Sequence, residues 1–478
     1  MARTEAGLPA GIRVTDHISL GVLSASVPLD VVHAVLQATD RASERERALP
    51  AHVMVYYAIA MALYAEVSTR EVLRCLLEGV RWLGGDASTV VPASKAGISQ
   101  ARTRLGAAPL DALYRRVVRP IAVAGTPGAW FRGWRVMSLD GTTLDVADTI
   151  ENARAFGRPA SSRGANATGA FPQLRLVGLL ENGTHVLSDA ALGPYRAHER
   201  ALATAVLPAL TPALTPEMLV LADRGFLSFD LWRPAAATGA ALVWRASAHV
   251  GLPVLERYTD GSYRSALRWN QRCQSADRTP IAVRVIDYTV TGAPQGAHAY
   301  RLVTSILEPA RAPADELAAL YQDRWEMETA FDELKTHLRG ARRVLRSKTP
   351  ELVRQEVWGL LIAHAAIRTL MHDAALGALP RARDPDTLSF THAVAVTRRT
   401  LSHVTAIPPS GLGAASPRTA ADPRRTARGS RAPTTRPRRT TRRETQDDEL
   451  PPAPSIKRAH ANRDVSRPRP HQKPTKTA

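Results

Sequence analysis

Two short apolar runs, each closing on an aspartate, restrict the fold of this 478-residue chain more than any other feature. WRVMSLDGTTLDV, from Trp134, reads as a strand ending at Asp140 and followed at once by Gly141. EMLVLADRGF reads as another strand, ending at Asp223. Between them, QLRLVGLL and THVLSDAAL flank Glu181-Asn182-Gly183, and an Asn-Gly pair there is a hairpin signal. AHERALATAVLPAL then reads as a helix. LSFDLWRPAAATG (helix) and ALVWRAS (strand) follow the second acid. The order β-β-β-α-β-α-β predicts an α/β sheet with acids at the C-terminal ends of its first and fourth strands. In open sheets those ends are where ligands gather.

The flanking regions have other periods. Residues 15–124 read as helices, giving a helical N-terminal domain over 12–124. LDVVHAVLQAT and LPAHVMVYYAIAMALYAE carry apolar residues at helical spacing, and Ser68 is the expected N-cap of STREVLRCLLEGVRWLG. SKAGISQARTRLGAAPLDALYRRVV reads as two helices joined by a short turn. Arg102 and Arg104 lie on the first, and Arg115, Arg116 and Arg119 on or just beyond the second. This pattern suits a helix-turn-helix-like reader with arginines on phosphates, or equally a helical hairpin with one basic face. The α/β unit spans 130–375, interrupted at about 247–308 by alternating segments such as IAVRVIDYTV that read as an antiparallel β insertion. A C-terminal helical segment follows over 376–407. Beyond about Pro408 the chain is Pro, Arg and Thr with few bulky apolar residues, the composition of a disordered basic tail.

Charge points the same way. The formal net charge is +19, and from Arg418 onward there are 17 Lys plus Arg against six acids. A basic body with a more basic tail suits a polyanion, most simply nucleic acid, although a GC-rich coding sequence also enriches Arg, Ala and Pro. Cys75 and Cys273 stand in unrelated contexts and support neither a disulfide framework nor a zinc site. No apolar run reaches a membrane-spanning length of roughly eighteen residues and the first residues lack a signal-peptide core, so a soluble, intracellular protein without a membrane partner is expected.

YQDRWEMETAFDELK, residues 321–335, is the densest mixture of charge and aromatic side chains. At about 100° per residue, Tyr321, Arg324, Glu328 and Lys335 share an arc of roughly 60°. Leu320, Met327, Phe331, Leu334 and Leu338 form the neighbouring apolar stripe. Glu326 and Glu333 fall on the opposite side, as solvent-facing charges would. Asp332 lies near enough to the functional arc to rival Glu328 on geometry.

The spacing Y-x2-R-x3-E-x6-K, here Tyr321, Arg324, Glu328 and Lys335, resembles the signature of DDE transposases of the insertion-sequence-four group. It follows Asp140 in SLDGTTLDV and Asp223 in LADRGF in the expected order. LRSKTPELVRQEVWGLLIAHAAIR and LPAHVMVYYAIAMAL are also similar to that family, and the resemblance covers roughly residues 12–405. It implies an RNase H-like catalytic core with a β-rich insertion, and it selects Glu328 over Asp332 as the third acid. Singly, a strand-terminating turn explains Asp140 and an N-cap explains Asp223; with the signature, the three form a set.

Three converging carboxylates need a cation, and hard oxygen donors favour Mg²⁺, with Mn²⁺ as a substitute. Two ions roughly 4 Å apart activate a water or 3′-hydroxyl and stabilise the leaving oxygen in an in-line attack at phosphorus. The resemblance makes Asp140, Asp223 and Glu328 the catalytic and metal-binding acids. Tyr321, Arg324 and Lys335 become DNA-end contacts, joined by Arg102 and Arg104 from the N-terminal region. The partners implied are double-stranded DNA, as transposon ends and target, and a second copy of the chain in a homodimeric synaptic complex in the bacterial cytoplasm, at the nucleoid.

Trp244, Trp269 and Tyr263, in or beside the β insertion, are candidates to stack a flipped base during hairpin formation, although such residues more often belong to a core. His198 and Glu199 precede the second acid, where a surface helix start is the simpler reading. A nuclease that cuts without joining, or an inactive or domesticated DNA-binding copy, would share the fold; retention of all three acids disfavours the latter. The tail departs from the helical ending expected of the group, and a frameshift or a true basic tail would each give its composition.

Overall fold

The computed structural model describes residues 26–400 apart from 45–48, 78–92, 160–170, 198, 201, 204–214, 248, 272, 291–297, 342 and 378–383, together with 456–457. The expected tail over 408–478 and His198 therefore lie outside the described residues, except for the short strand β11 (Ile456–Lys457), which pairs with β9.

Helices open the chain: α1 (Leu29–Ala38), α2 (Ala51–Leu63), α3 (Thr69–Leu77), α4 (Lys95–Leu105) and α5 (Ala108–Val117). Ser68 caps α3 as expected, accepting from the Glu71 N–H at 3.2 Å, and Ser94 caps α4 by accepting from the Gly97 N–H at 3.1 Å. The sheet consists of β1 (Trp130–Phe131), β2 (Trp134–Asp145), β3 (Gln173–Glu181), β4 (Val186–Pro194), β5 (Met218–Ala222), β6 (Ala241–Arg245), β7 (Glu256–Arg257), β8 (Tyr263–Leu267), β9 (Ile281–Val290) and β10 (His298–Thr304). Interleaved are α6 (Ile150–Phe156), after β2, and α7 (Phe229–Ala237), after β5. α8 (Ala314–Leu320) leads into the signature segment, α10 (Pro350–Leu376) follows that segment, and α11 (Phe390–Thr400) comes last.

The strand order is β4-β3-β2-β5-β6-β10-β9-β8-β7, with β1 paired to β2. Within it, β2, β5 and β6 are parallel, and β3 and β4 are antiparallel additions on one side. The β insertion continues the same sheet, since β10 pairs antiparallel with β6 and the meander runs outward from there. This is the mixed α/β architecture expected, although most of the helix expected over 197–210 lies outside the described residues, α6 was not expected, and β2 is longer than its reading. β2 runs through Asp140 to Asp145, because its pairing with β3 persists to Asp145↔Gln173 after β5 has ended. Asp140 is thus mid-strand.

The N-terminal helices share a core with the rest of the chain. One apolar cluster joins Val53, Ile59, Leu110 and Tyr114 to Leu176 and Leu187 of the sheet and to Val357 and Ile367 of α10. α2 and α10 approach so closely that a Cβ on Gly359 would lie 2.5 Å from the Ala58 carbonyl oxygen, so only glycine fits there. α10 is the longest helix among the described residues but, like the others, is not long and apolar enough to cross a membrane.

Buried ionic groups fasten α10 beneath the signature segment. Glu333 accepts from Arg368 Nε at 2.9 Å and from His364 Nε2 at 3.0 Å, and Arg368 also reaches Asp386 at 3.3 Å. Burial opposes ionisation of Glu333, but hydrogen bonds with His185 and His364 and the charge of Arg368 outweigh it, holding the carboxyl well below its ordinary range. A carboxyl depressed in the folded state adds stability that is complete above the unfolded pKa of about 4.3 and is lost as the pH falls through the folded value. Glu333→Gln is expected to cost about 3–5 kcal/mol near neutrality by stranding Arg368. Chemical denaturation at pH 7 and pH 3 should show that penalty shrinking in acid; a constant penalty would mean that the charge of Glu333 is not what matters.

Candidate active site

The parallel register sets the first two acids. Leu139 is opposite Ala222 in the last β2–β5 pair, so Asp140 and Asp223 come next on neighbouring strands about 4.8 Å apart. Both project to the face that carries Val136, Leu219 and Leu221, because side chains alternate along a strand. β5 ends there and the chain turns, with the Phe226 N–H donating to the Asp223 carbonyl at 3.0 Å. Asp223 Oδ1 is buried without a hydrogen-bond partner, with Arg245 Nη1 3.8 Å away.

The signature segment covers this face as three successive helical forms. Tyr321–Trp325 is a 3₁₀ turn, Glu326–Asp332 is α-helix (α9), and Glu333–Leu338 is a π turn. A uniform 100° wheel therefore fails at both ends. The apolar stripe is buried as expected, from Leu320 to Leu338. Glu326 and Glu333 do not face solvent, which corrects the sequence reading. Glu326 accepts from the Gly183 N–H at 2.5 Å, and Glu333 is buried against α10. Asn182 clamps the segment to the sheet by accepting from Ser138 Oγ at 2.8 Å and donating to the Asp323 carbonyl at 2.8 Å.

Arg324, only 8 % exposed, stands between the acids. Its Nη1 donates to Asp140 Oδ2 at 2.8 Å, and its Nη2 lies 3.6 Å from Glu328 Oε1. The side chain of Glu328 is 51 % exposed and reaches in from the rim. Its rival Asp332 turns away, accepting from Thr336 Oγ1 at 2.6 Å and lying 3.2 Å from His337. Burial pushes the Asp140 carboxyl up to about 6; the Gly141 N–H and Arg324 pull it down, and Glu199 and Asp223 push it up. Lys335 Nζ donates to Thr142 Oγ1 at 3.0 Å, on the strand that carries Asp140.

Tyr321 is buried, and its hydroxyl donates to the Ala222 carbonyl at 3.2 Å, supporting the strand end just before Asp223. It lies beneath the site, away from any surface a DNA end would present. Arg102 is a clearer correction. It is 5 % exposed, and its donors go to Gln355 Oε1 at 2.8 Å, Ser347 Oγ at 2.9 Å and the Leu352 carbonyl at 3.2 Å, joining α4 to α10. A buried guanidinium with occupied donors is a fold element. Arg104, two residues on, is exposed. Trp244 and Tyr263 belong to the core, Trp244 edge-on to Trp232, whereas Trp269 is 40 % exposed.

Glu199 was undervalued by its sequence context. Gly141 lacks a Cβ, and one placed there would meet Glu199 Cγ at 2.8 Å and Oε1 at 3.1 Å; Arg175 pairs with the same carboxylate. A fourth acid therefore lies over the Asp140–Gly141 peptide. Its one sequence signal was its place just before the second acidic strand.

Among the described residues, only His185, Glu326 and Asp386 bring three such ligand atoms within 4.8 Å of one another. There Arg368 Nη2 contacts His185 Nδ1. Burial opposes protonation of His185, but its hydrogen bonds with Asp386, Glu326 and Glu333 outweigh it and push its pKa up to about 10, so the ring is an imidazolium with no lone pair for a metal. The Asp140, Asp223 and Glu328 set is more open but offers carboxylate oxygens alone, the donor chemistry of a hard divalent cation.

Two acids side by side on neighbouring parallel strands, one mid-strand and one just past a strand end, with a glutamate arriving from a later helix, are the arrangement of a DDE-type nucleic-acid-processing enzyme. The family described as "Transposase DDE domain" matches residues 133–365, and "Insertion element 4 transposase N-terminal" matches residues 17–115. The chain is similar to transposase InsG for insertion sequence element IS4 of Escherichia coli (strain K12), with 28% identity over 332 residues, 68% of this chain and 71% of that protein. It is 27% identical over 213 residues to the putative transposase InsZ of the same organism, covering 45% of this chain and 66% of that one. A cryo-EM structure of the piggyBac transposase synaptic complex with hairpin DNA matches with a TM-score of 0.43 and 11% identity over 81% of this chain and 79% of that one. The chain belongs to the IS4 family of DDE transposases. It is a DNA transposase, an enzyme that cleaves and transfers DNA.

The two arginines of α4 separate cleanly by experiment. Arg102→Ala should cost about 2–3 kcal/mol, the scale of lost hydrogen bonds from a charged group, seen as a lower urea midpoint. Arg104→Ala should stay within about 0.5 kcal/mol of the parent while weakening duplex binding. Equal stability of the two variants would refute the buried role assigned to Arg102.

Proposed function

We propose that Asp140, Asp223 and Glu328 are the catalytic acids of metal-dependent excision and strand transfer at the terminal inverted repeats of the chain's own element. The observation that carries this reading is the side-by-side placing of Asp140 and Asp223 on neighbouring strands, with Arg324 spanning from Asp140 toward Glu328. The core is then RNase H-like: β2, β3, β4, β5 and β6 take the order 3-2-1-4-5, with the second strand antiparallel to its neighbours.

The three acids fit a pair of Mg²⁺ ions, with Mn²⁺ as a substitute. Asp223 Oδ1 is a buried acceptor with no hydrogen-bond partner, and burial pushes the Asp140 carboxyl up to about 6, a cost that a neighbouring cation would offset. Bound there, the cations would lower the cost of activating a water or 3′-hydroxyl and of releasing the opposite oxygen. Asp140 and Asp223, fixed by the sheet, set the position of the reacting phosphorus. Glu328 closes the set from the solvent side, since its side chain is half exposed and lies on the signature segment rather than the sheet. Arg324, which holds the acids together in the protein alone, is placed to turn toward a scissile phosphate. Lys335 supplies a second positive charge one strand position pair beyond Asp140, and Arg104 extends the contact to flanking duplex. Tyr321 supports the strand end rather than touching DNA.

Holding two ends at once requires two active sites, so the working form is a homodimer on two transposon ends and a target duplex, in the bacterial cytoplasm at the nucleoid. If a hairpin forms, Trp269 is the one of Trp244, Tyr263 and Trp269 that is exposed to receive a flipped base.

The test is nicking of labelled DNA carrying the element's ends, with Mg²⁺. Asp140→Asn, Asp223→Asn and Glu328→Gln should each lower the rate by at least about 10³-fold, the scale of losing a group that acts only in the transition state, while duplex binding persists. Asp332→Asn should retain near-parental activity. Loss of activity in Asp332→Asn with none in Glu328→Gln would reverse the choice of acid.

A further inference from the structure

One turn beyond Lys335 the fold keeps a cavity of about 300 Å³ between the end of α2 and the segment 339–346. Met61, Leu345 and Leu360 form its apolar wall, and Arg339, Arg343 and Glu356 its polar one. Arg339 is 8 % exposed, yet its Nε and Nη1 are buried and have no hydrogen-bond partner. Leaving a guanidinium buried and unpaired costs free energy that a fold without use for the charge would avoid.

The surrounding charges do not satisfy it. Glu356 is occupied, accepting from the Arg346 N–H at 3.2 Å and the Ser347 N–H at 3.0 Å. Arg346 spends its donors on the Val67, Met61 and Tyr64 carbonyls at 2.8, 3.1 and 3.2 Å. Arg343, 44 % exposed at the rim, donates to the Ala65 carbonyl at 3.3 Å and lies 3.7 Å from Glu66, leaving it adjustable. Asp145 and Glu356 are the carboxylates whose charge acts on Arg339, yet burial outweighs them and lowers its pKa, and its Nε and Nη1 remain enclosed donors without a hydrogen-bond partner, which suits an oxyanion. Lys335, four residues before Arg339, reaches Thr142, two residues after Asp140. Basic groups thus run continuously from the acids to the cavity.

We propose that this cavity is an oxyanion pocket that receives a backbone phosphate of the DNA strand passing Lys335, with Arg339 as its principal ligand. It rests on the DNA-processing function and adds a second anchoring point away from the scissile bond. The pocket fixes the path of the flanking strand, so its loss weakens binding more than it slows chemistry.

The experiment uses the full-length protein, with inorganic phosphate as the first probe and a terminal-repeat duplex as the second. Phosphate should raise the melting temperature of the parent and leave that of Arg339→Met unchanged. Without ligand, Arg339→Met should melt at or above the parent, because it keeps the aliphatic stem and removes an unpaired buried charge. Duplex affinity should fall about tenfold and the salt slope by about 0.9, the signature of one lost phosphate contact, with cleavage at saturating DNA retained. A destabilised Arg339→Met that binds phosphate and duplex like the parent would overturn the pocket and make Arg339 structural. If Arg339→Met fails to fold, Arg343→Met at the rim gives the same readout: a reduced phosphate response supports the pocket and an unchanged one overturns it. A phosphate response that depends on Arg339 in a protein that cuts no terminal DNA would uphold the pocket while removing the proposed chemistry.

Discussion

Acids gathered in a partly buried cleft repel one another, and in this chain the Arg324 guanidinium compensates them. It donates to Asp140 and approaches Glu328, and its own charge is favoured by Asp140, Asp223 and Glu328 against the penalty of burial. Much of the surrounding structure exists to place that group. α8 and the 3₁₀ turn deliver it, Asn182 clamps the turn to β2 and β3, and Tyr321 props the end of β5. In the proposed reaction, a cation held by the acids would free Arg324 to meet another anion.

A second layer of buried charge supports the first. Glu326 and Glu333 lie on the same short segment as Glu328 but turn inward, toward Gly183, His185, His364 and Arg368. They hold the segment between the β3–β4 turn and α10, so the catalytic face is fixed from behind. The change from 3₁₀ to α to π geometry within eighteen residues lets the acids of one segment face opposite environments. Arg102 plays the equivalent part on the N-terminal side, tying α4 to α10 through Gln355 and Ser347.

Arg102 and Arg339 together show that a basic residue's role depends on its partners. Both are buried, but Arg102 has its donors filled whereas Arg339 leaves Nε and Nη1 unpaired beside a cavity. Burial with partners makes a fold element; burial without them makes a site prepared for an anion. The N-terminal helices contribute to both through α2 and α4, which pack into the core shared with α10.

By itself the sequence determined the alternation of strands and helices along the α/β unit, the run of antiparallel strands after residue 247, and the apolar stripe of the signature segment. Those features rest on local periodicity, which each residue carries with it. Tertiary structure alone decided which charges turn inward. A helical wheel placed Glu326 and Glu333 in solvent because it cannot see α10 behind them or the switch of helical form. Composition cast Arg102 as a phosphate contact because it cannot see Gln355, 253 residues away. Glu199 gave little signal, because its approach to Asp140 depends on Gly141, a glycine 58 positions earlier that leaves room for its side chain. Whether a charged side chain meets water, an ion partner or an empty cavity is set by groups distant in sequence, and only the packed chain brings them together.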